Sequence, residues 1–423
     1  MSVDRIILHQ RPGMTLAAFQ QAGSVVELWV EMFDTPSLVG GIALARGVSA
    51  GRKSGASIVA LPEGEAFLRD RILDQGELCP VQIVRDATQG KRAVVRSGIE
   101  LQDGPIVLTV RERDIGVSKK IRAKARREEI KASLEKHVPS GVGMLARSAA
   151  SALSVEDIEA CAARLGDRWK ALEAAIKGSD KPVWLSQSPS LEEQARNVAP
   201  TAELVVDRTG GLFEEVGGED ALEAALAHRV NVEGGGELVF DRGEAGTLID
   251  VNLGDTNPSK AGKSLEHCAK EVARQMRLRG LRGTILVDFP RSGKGGNRKL
   301  LEAALREESE RDSAQIHLLG WTPGGMLELV REGVRRPLAD DFLEPVGDPV
   351  PTGRAAGLAA LHGIRGEVKT IARPRLFVSR MVANWLTGPG AGIVDAERRR
   401  LGHLSIAIDP TYSRNNFRVE EES

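Results

Sequence analysis

The N-terminal third of the chain carries the hydrophobic pattern of short β-strands. Val25, Leu28 and Val30 are interleaved with polar residues such as Glu27 and Glu31, and this alternation is typical of half-buried strands. Short apolar runs recur at 38–45, 58–61 and 81–84, separated by Gly and Asp/Gly turns. Closely spaced short strands followed by helical patterns predict a small barrel ahead of a mixed α/β region.

One long amphipathic helix is predicted between Ser154 and Gly178. Ser154 with Asp157 three residues later forms a capping start, and Gly178 is a typical helix end. Apolar residues follow at steps of three and four, and they form a stripe that we interpret as core packing. The stripe consists of Ile158, Cys161, Leu165, Trp169, Leu172 and Ile176.

The second half alternates strand and helix signals, which predicts α/β architecture. Strands are predicted at 237–242, 247–252, 284–289 and 315–320, and helices at 264–279 and 298–311. A Pro- and Gly-rich linker at 344–357 then precedes a small terminal α/β domain. In that domain we predict a helix over Leu376–Leu386 and a strand over 403–409.

Composition narrows the class of protein. The chain has 423 residues, enough for two to four domains. Its 58 Lys+Arg nearly balance 59 Asp+Glu, so net charge alone does not favour a nucleic-acid partner. The three cysteines form no CxxC pair and the seven histidines no HxH or HxxxH spacing, which argues against a zinc site. Without a signal peptide or a membrane-length apolar run, we expect a cytoplasmic protein with no membrane partner.

Two carboxylates end apolar strands, where a polar residue requires an explanation. Asp250 and Asn252 lie two residues apart in TLIDVN, so they share one strand face, and Asp288 ends TILVD. Ligands of α/β sheets gather at such carboxyl ends, and two Asp form an oxygen site suited to Mg²⁺. The alternative is that both Asp are ordinary turn or capping residues.

Basic residues flank this candidate site. Lys270, Arg274 and Arg277 follow one another at helical spacing, and further cations surround Asp288. Another basic run, KKIRAKARR (119–127), begins with Lys119 and Lys120. These cations are either contacts for a phosphate backbone or simply solvated helix surfaces. The segment NPSKAGKS (257–264) ends like a P-loop, but Asn257 replaces the first glycine, so a loop with Ser264 as N-cap is the simpler interpretation.

Several separated motifs resemble the ribonuclease E/G family. GGGELVFDRGEAGTLIDVN (234–252), CAKEVARQMRLRGLRGTILVDF (268–289) and LLEAALREESERDSAQIHLLGWTPGGMLELVREGVRRPL (300–338) resemble its catalytic core in order and spacing. Weaker similarity covers PSLVGGIALARGVSA (36–50) and EGEAFLRD (63–70), which resemble its OB barrel. IGVSKKI (115–121) and GVGMLARSA (141–149) resemble its 5′-sensor domain, and 360–423 resembles its C-terminal domain.

The resemblance implies an α/β multi-domain endoribonuclease that cleaves single-stranded RNA with one Mg²⁺ and leaves 5′-phosphate and 3′-hydroxyl ends. Asp250 and Asp288 match the metal-binding aspartates, and Asn252 matches the residue that orients the phosphate. Arg147 and Ser148 match a 5′-phosphate-binding pair, and Phe67 a base-stacking aromatic. The implied domains are an RNase H-like scaffold (1–23 and 179–213), an OB-fold barrel (24–113), a 5′-sensor (114–178), a DNase-like catalytic domain (214–343), a linker (344–359) and a small C-terminal domain (360–423).

The sequence also departs from the family pattern. Ile58 replaces a second stacking aromatic, Pro323 an arginine expected for 5′-end sensing, and Arg291 an acidic residue near Asp288. The CPxC zinc link between subunits is absent, so no zinc is expected and a homodimer would need another contact. We therefore expect a chain that resembles the shorter branch of the family, without the long C-terminal scaffold tail.

Two other functions stay open at this point. A non-cleaving RNA-binding member of the same family would bind RNA with a strong salt dependence but cut nothing. A P-loop NTPase would hydrolyse nucleotide in a manner that depends on Lys263.

Overall fold

A computed structural model describes most of the chain in two compact units. Its described residues are 3–51, 55–87, 92–233, 235–243, 245–254, 261–290, 297–333, 335–344, 351–367 and 371–422. The first unit is built on Ser37–Glu203, and the second on Arg5–Pro36 together with the chain from Leu204 onward. Arg291 and the first half of the P-loop-like segment, 257–260, lie outside the described residues.

Three antiparallel strands open the chain and belong to the second unit. They are β1 (Arg5–Arg11), β2 (Met14–Gln21) and β3 (Ser24–Met32). β3 pairs with β2 over its whole length, and Leu16, Leu28 and Met32 are buried. Residues 24–32 therefore extend this sheet and are not part of the predicted barrel, because β3 finds its hydrogen-bonding partner in β2.

The first unit begins with a closed barrel of five strands. These are β4 (Ile42–Gly51), β5 (Ala56–Ala60), β6 (Glu65–Leu68), β7 (Leu78–Arg85) and β8 (Ala93–Arg96). They pair in the order β4-β5-β6-β8-β7, and a further pairing of β4 with β7 closes the sheet on itself. Small side chains such as Ala43, Ala45 and Ala66 are fully buried in its interior. This is the small barrel that the strand pattern predicts, and it is consistent with the OB-like domain that the family resemblance implies.

A four-stranded sheet with two helices follows. It contains β9 (Glu100–Asp103), β10 (Ile106–Thr109), β11 (Ile115–Val117), α1 (Lys124–Glu135), β12 (Gly143–Ala146) and α2 (Val155–Lys177). The predicted helix is confirmed as α2, since the Ser154 side chain accepts a hydrogen bond from Asp157 N and Gly178 follows its end. Its apolar stripe, Trp169 included, packs in the core of this unit. β13 (Val183–Ser186) then pairs with β4, and α3 (Leu191–Val198) follows.

The second unit resumes with a larger α/β region. Its first elements are β14 (Glu203–Asp207), α4 (Gly211–Glu215), α5 (Gly218–Leu226) and β15 (Arg229–Asn231). β14 pairs with β1 and completes the sheet of β1, β2 and β3. Next come β16 (Glu237–Arg242), β17 (Thr247–Asn252), α6 (Ala261–Leu278), β18 (Gly283–Asp288), α7 (Asn297–Ser309), β19 (Gln315–Trp321) and β20 (Leu327–Glu332). The sheet order is β15-β16-β17-β18-β20-β19. The predicted strands and helices are confirmed, except that α6 begins at Ala261, which places Ser264 inside the helix and not at its N-cap.

The C-terminal part is a small three-stranded sheet with helices. Its elements are α8 (Leu338–Phe342), α9 (Gly353–Glu367), β21 (Pro374–Val378), α10 (Arg380–Thr387), α11 (Ala391–Leu401), β22 (Ser405–Ile408) and β23 (Phe417–Glu421). The helix predicted over Leu376–Leu386 is wrong in its first part. Leu376–Val378 belong to β21, which is held between β22 and β23 and pairs with both. The predicted linker is also shorter, because α9 begins at Gly353.

The chain is a mixed α/β protein, as the sequence predicts at this level. Within the described residues, every helix is too short or too polar to span a bilayer.

Candidate active site

Asp250 and Asp288 lie opposite one another on neighbouring strands. The β-branched and aliphatic runs before them form β17 and β18, which pair in parallel with Asp250 and Asp288 as direct Cα partners. Adjacent strands lie about 4.8 Å apart, and directly paired residues project to the same face of a sheet. The two carboxylates are therefore neighbours at the carboxyl end of this strand pair, as the sequence predicts.

The alternation of side chains decides which face carries the aspartates. Ile249, Val251, Ile285 and Val287 are buried in the core formed with α6 and α7. Their neighbours along each strand point the other way, so Asp250 and Asp288 belong to the face that α6 and α7 leave uncovered. We call this the open face of the sheet.

Asn252 joins the two aspartates on the open face. It lies two residues beyond Asp250 on β17, and its Nδ2 donates a hydrogen bond of 2.9 Å to Asp250 Oδ2. A carboxamide NH₂ has two hydrogens, so one stays available for another acceptor. The amide orients the Asp250 carboxylate and leaves a donor at the edge of the sheet.

The open face carries other carboxylates, and most of them have a basic partner. Glu237 pairs with Arg229 at 2.7 Å, Asp241 with His228 at 3.1 Å and Glu332 with His317 at 3.0 Å. Asp250 and Asp288 have no such ion pair within the described part of the chain, and neither has Glu328, which faces Leu286 from β20. Among the described residues, the central carboxylates are therefore uncompensated, and such a negative patch would attract a cation.

The donor set of this patch suits Mg²⁺. Carboxylate oxygens are the ligands that Mg²⁺ prefers, and this ion commonly binds one or two carboxylates while it keeps several waters. Among the residues that the structure describes, no third Asp, Glu, His or Cys joins Asp250 and Asp288 in a tight ligand cluster. The remaining positions around an ion would then be open to water and to a phosphate group.

The three cations predicted on α6 differ from one another in the structure. Lys270 is partly exposed and pairs with Glu266 at 2.7 Å, and Arg274 is partly exposed and pairs with Glu271 at 2.8 Å. The side chain of Arg277 is only 3% exposed and faces Glu308 at 3.3 Å. The assignment of Arg277 to RNA binding does not fit this burial. Because α6 covers the face opposite the aspartates, its cations do not share their face.

In the first unit, the predicted phosphate-binding residues follow the ends of two neighbouring strands. β11 and β12 are parallel neighbours with Val117 and Ala146 as Cα partners. Lys119 and Lys120 follow the end of β11, while Arg147 and Ser148 follow the end of β12, and all four are exposed. The backbone N–H of Ser118 donates to the carbonyl of Ala146 at 2.9 Å, which holds the two chain exits together. Three cations and a hydroxyl thus lie at one end of a strand pair.

Phe67 faces away from the barrel interior. Its neighbours Ala66 and Leu68 are fully buried in the barrel core, while Phe67 is partly exposed on the outer side of β6. Ile58 is its direct partner on β5, and the Arg92 guanidinium lies 5.7 Å from the ring centroid. Phe67 therefore lies on the outer surface of the barrel and is not one of its core residues.

The sequence interpretation missed Glu328 and Arg92. Glu328 alternates with the buried Leu327 and Leu329, which marks it as outward-facing, but only the pairing of β20 with β18 brings it to the open face. Arg92 directly precedes β8, and nothing in its sequence neighbourhood points to Phe67.

Comparison with known proteins identifies the family of this chain. The sequence model of the Ribonuclease E/G family matches residues 101–199 and 190–334, which include Lys119, Arg147, Asp250 and Asp288 but not Phe67. The chain belongs to the ribonuclease E/G family.

Individual relatives are ribonucleases G and E. The chain is 24% identical over 336 residues to ribonuclease G of Salmonella typhimurium (strain SL1344), covering 71% of this chain and 66% of that protein. It is 28% identical over 309 residues to ribonuclease E of Escherichia coli (strain K12), covering 64% of this chain and 29% of that protein. The match thus spans just under two thirds of one relative and less than a third of the other.

Proposed function

We propose that this protein is an endoribonuclease that cleaves single-stranded RNA with the help of Mg²⁺, leaving 5′-phosphate and 3′-hydroxyl ends. The observation that carries the proposal is the direct pairing of Asp250 with Asp288 on parallel strands, within the segment that matches the family. Neither aspartate has a basic partner within the described residues, and two such carboxylates side by side favour a cation site over a turn or capping role.

In this proposal Asp250 and Asp288 hold the ion through carboxylate oxygens. Bound there, Mg²⁺ would lower the pKa of a water ligand and offset the charge that develops on the phosphate. Asn252 contributes its second amide hydrogen to a phosphate oxygen, while its first stays on Asp250. The exposed position of Asp288 and Asn252 at the strand ends leaves room for an extended RNA backbone.

The remaining predicted residues serve binding. Arg147, Ser148, Lys119 and Lys120 are proposed to contact RNA phosphate, and the planar Arg147 fork suits a terminal 5′-phosphate. Phe67 with Arg92 is proposed to stack on a base. Because Ile58 supplies no second ring, contacts to the backbone should outweigh stacking, so we expect weak sequence selectivity and a steep salt dependence.

The test uses a 5′-monophosphorylated, A/U-rich RNA oligonucleotide and the full chain. Cleavage should require Mg²⁺ and should be lost in Asp250→Asn and in Asp288→Asn. Asp241→Asn is the matched control, since Asp241 is on the same face but pairs with His228. Full cleavage by both variants would overturn the proposal.

Two further measurements separate the alternatives. RNA binding without cleavage at any Mg²⁺ concentration would establish a non-cleaving RNA-binding protein. Lys263→Ala tests the NTPase alternative, and because Lys263 lies exposed on α6 we expect this variant to keep its cleavage activity.

A further inference from the structure

Three residues that are far apart in the sequence meet inside the second unit, away from the aspartates. They are His9 on β1, Glu219 in the first turn of α5 and His362 on α9. One ligand atom of each lies within 4.8 Å of the ligand atoms of the other two. In the part of the chain that the structure describes, this is the one group of three or more His, Cys, Asp or Glu side chains with that geometry.

The His9 ring is held in the orientation that a metal ligand needs. The residue is 1% exposed, and its ring stacks on Phe213 with centroids 5.1 Å apart. Its Nδ1 lies 3.3 Å from the carbonyl oxygen of Asp207. Because a carbonyl only accepts hydrogen bonds, the proton belongs on Nδ1, which leaves a lone pair on Nε2. A second ring nitrogen bonded to a carbonyl is the usual support of a metal-binding histidine.

One ring nitrogen of each histidine has no hydrogen-bond partner among the described residues. These nitrogens are His9 Nε2 and His362 Nδ1, and both are buried. Buried polar atoms are nearly always satisfied, so two such nitrogens in a cluster with a carboxylate point to a missing ligand.

Glu219 can be the third metal ligand while it keeps its ion pair with Arg11. Arg11 donates to Glu219 Oε1, which leaves Oε2 as the oxygen for a metal ion. The Glu219 side chain is 42% exposed, so an ion can enter from that side. Metal-binding carboxylates are commonly held in place by a hydrogen bond from a neighbouring residue. Arg11 would do this for Glu219, because it binds one carboxylate oxygen while the ion binds the other.

We propose that His9, Glu219 and His362 bind one divalent transition-metal ion, with zinc as the preferred occupant. Two imidazoles and a carboxylate match zinc better than Mg²⁺, which prefers oxygen ligands. Three protein ligands leave a fourth tetrahedral position for water. The ion would fasten the first strand, α5 and α9 to one another, elements that are separated by more than a hundred residues.

The test is zinc binding by the full chain after chelator treatment and desalting, with Mg²⁺ in excess to occupy oxygen sites. We expect one zinc per chain by elemental analysis, and d–d absorption of four-coordinate Co²⁺ when cobalt replaces zinc. His362→Gln and Glu219→Gln should each lower the affinity by more than ~10-fold, since changes even beyond the direct ligands cost ~10–100-fold. His403→Gln is the matched control, because His403 pairs with Glu422 in the same unit.

The outcomes are decisive in both directions. If the wild type keeps no zinc, or if His362→Gln and Glu219→Gln bind zinc as well as the wild type, the proposal is wrong and a water bridging the two nitrogens is the better explanation. Circular dichroism shows whether each variant is folded. If His362→Gln does not fold, the zinc affinity of Glu219→Gln, at its exposed position, decides whether the proposal holds. The double variant Asp250→Asn/Asp288→Asn should still bind one zinc, which separates this site from the proposed catalytic one.

Discussion

Replacing one of the two paired aspartates should leave the free energy of unfolding in a chelator unchanged or slightly higher, and it should remove the stabilisation by Mg²⁺. Asp250 and Asp288 are direct partners on adjacent strands, which lie about 4.8 Å apart. Two unit charges roughly 5 Å apart repel by about 1 kcal/mol in water and by about 3 kcal/mol at an effective dielectric constant of about 20. Because Asp288 is exposed and Asp250 half-buried, the lower figure applies, in line with roughly 0.2–1 kcal/mol for like charges paired across strands.

Asp288→Asn keeps the side-chain shape and removes one of these charges. In a chelator, its free energy of unfolding should therefore equal that of the wild type or exceed it by up to about 1 kcal/mol. Mg²⁺ should stabilise the wild type by about 1.4 kcal/mol at ten times its dissociation constant, and the variant should lose this gain. Urea unfolding with and without Mg²⁺ measures both quantities, and the cleavage assay is run on the same samples.

Asp241→Asn serves as the control, because its charge is already compensated by His228, and it should keep the Mg²⁺ response. The reasoning is refuted if Asp288→Asn loses stability in chelator and still responds to Mg²⁺ as the wild type does. That pattern would make Asp288 a turn-stabilising residue.

Three further predictions concern other parts of the molecule. Asp312→Asn should lower the free energy of unfolding in urea by about 3–5 kcal/mol, because it leaves the Arg331 guanidinium, 3% exposed, without its paired carboxylate. Loss of the partly exposed Glu237 charge should cost less than about 1 kcal/mol. Burial raises the pKa of Glu27 above its ordinary 4.5, so the folded state loses stability as the pH rises from 4.5 through the raised pKa. Glu27→Gln should remove this loss, so the variant should be more stable than the wild type at pH 8 but not at pH 4. Equal stability of wild type and variant at both pH values would contradict this prediction. Arg147→Ala should reduce the preference for 5′-monophosphorylated over 5′-hydroxyl RNA and lower the salt slope of binding by about 1, and an unchanged preference would remove Arg147 from the phosphate site.

Much of the catalytic sheet follows from local pattern. β16 and β17 have the predicted bounds, and α2 begins and ends at the predicted capping residues. The pairing of Asp250 with Asp288 was also predictable, since a strand, a helix and a second strand in succession favour a right-handed parallel pair whose carboxyl ends lie together.

Predictions failed where long-range contacts override local preference. Leu376–Val378 look helical in isolation but form β21, because β22 and β23 supply hydrogen-bonding partners on both sides. Arg277 follows the spacing of a basic helix face, yet the fold turns it toward Glu308 in the interior. Spacing along a helix gives the direction of a side chain around the axis but not the identity of what packs there.

The sequence by itself determined the α/β class, the barrel, the family and the pair of aspartates, because strand alternation, helix capping and ordered motifs are local properties of the chain. The tertiary structure alone decided which carboxylates lack a basic partner and that His9, Glu219 and His362 meet. The spacing of the histidines argued against a zinc site, because spacing shows only which residues are neighbours in sequence, whereas metal ligands need only be neighbours in space.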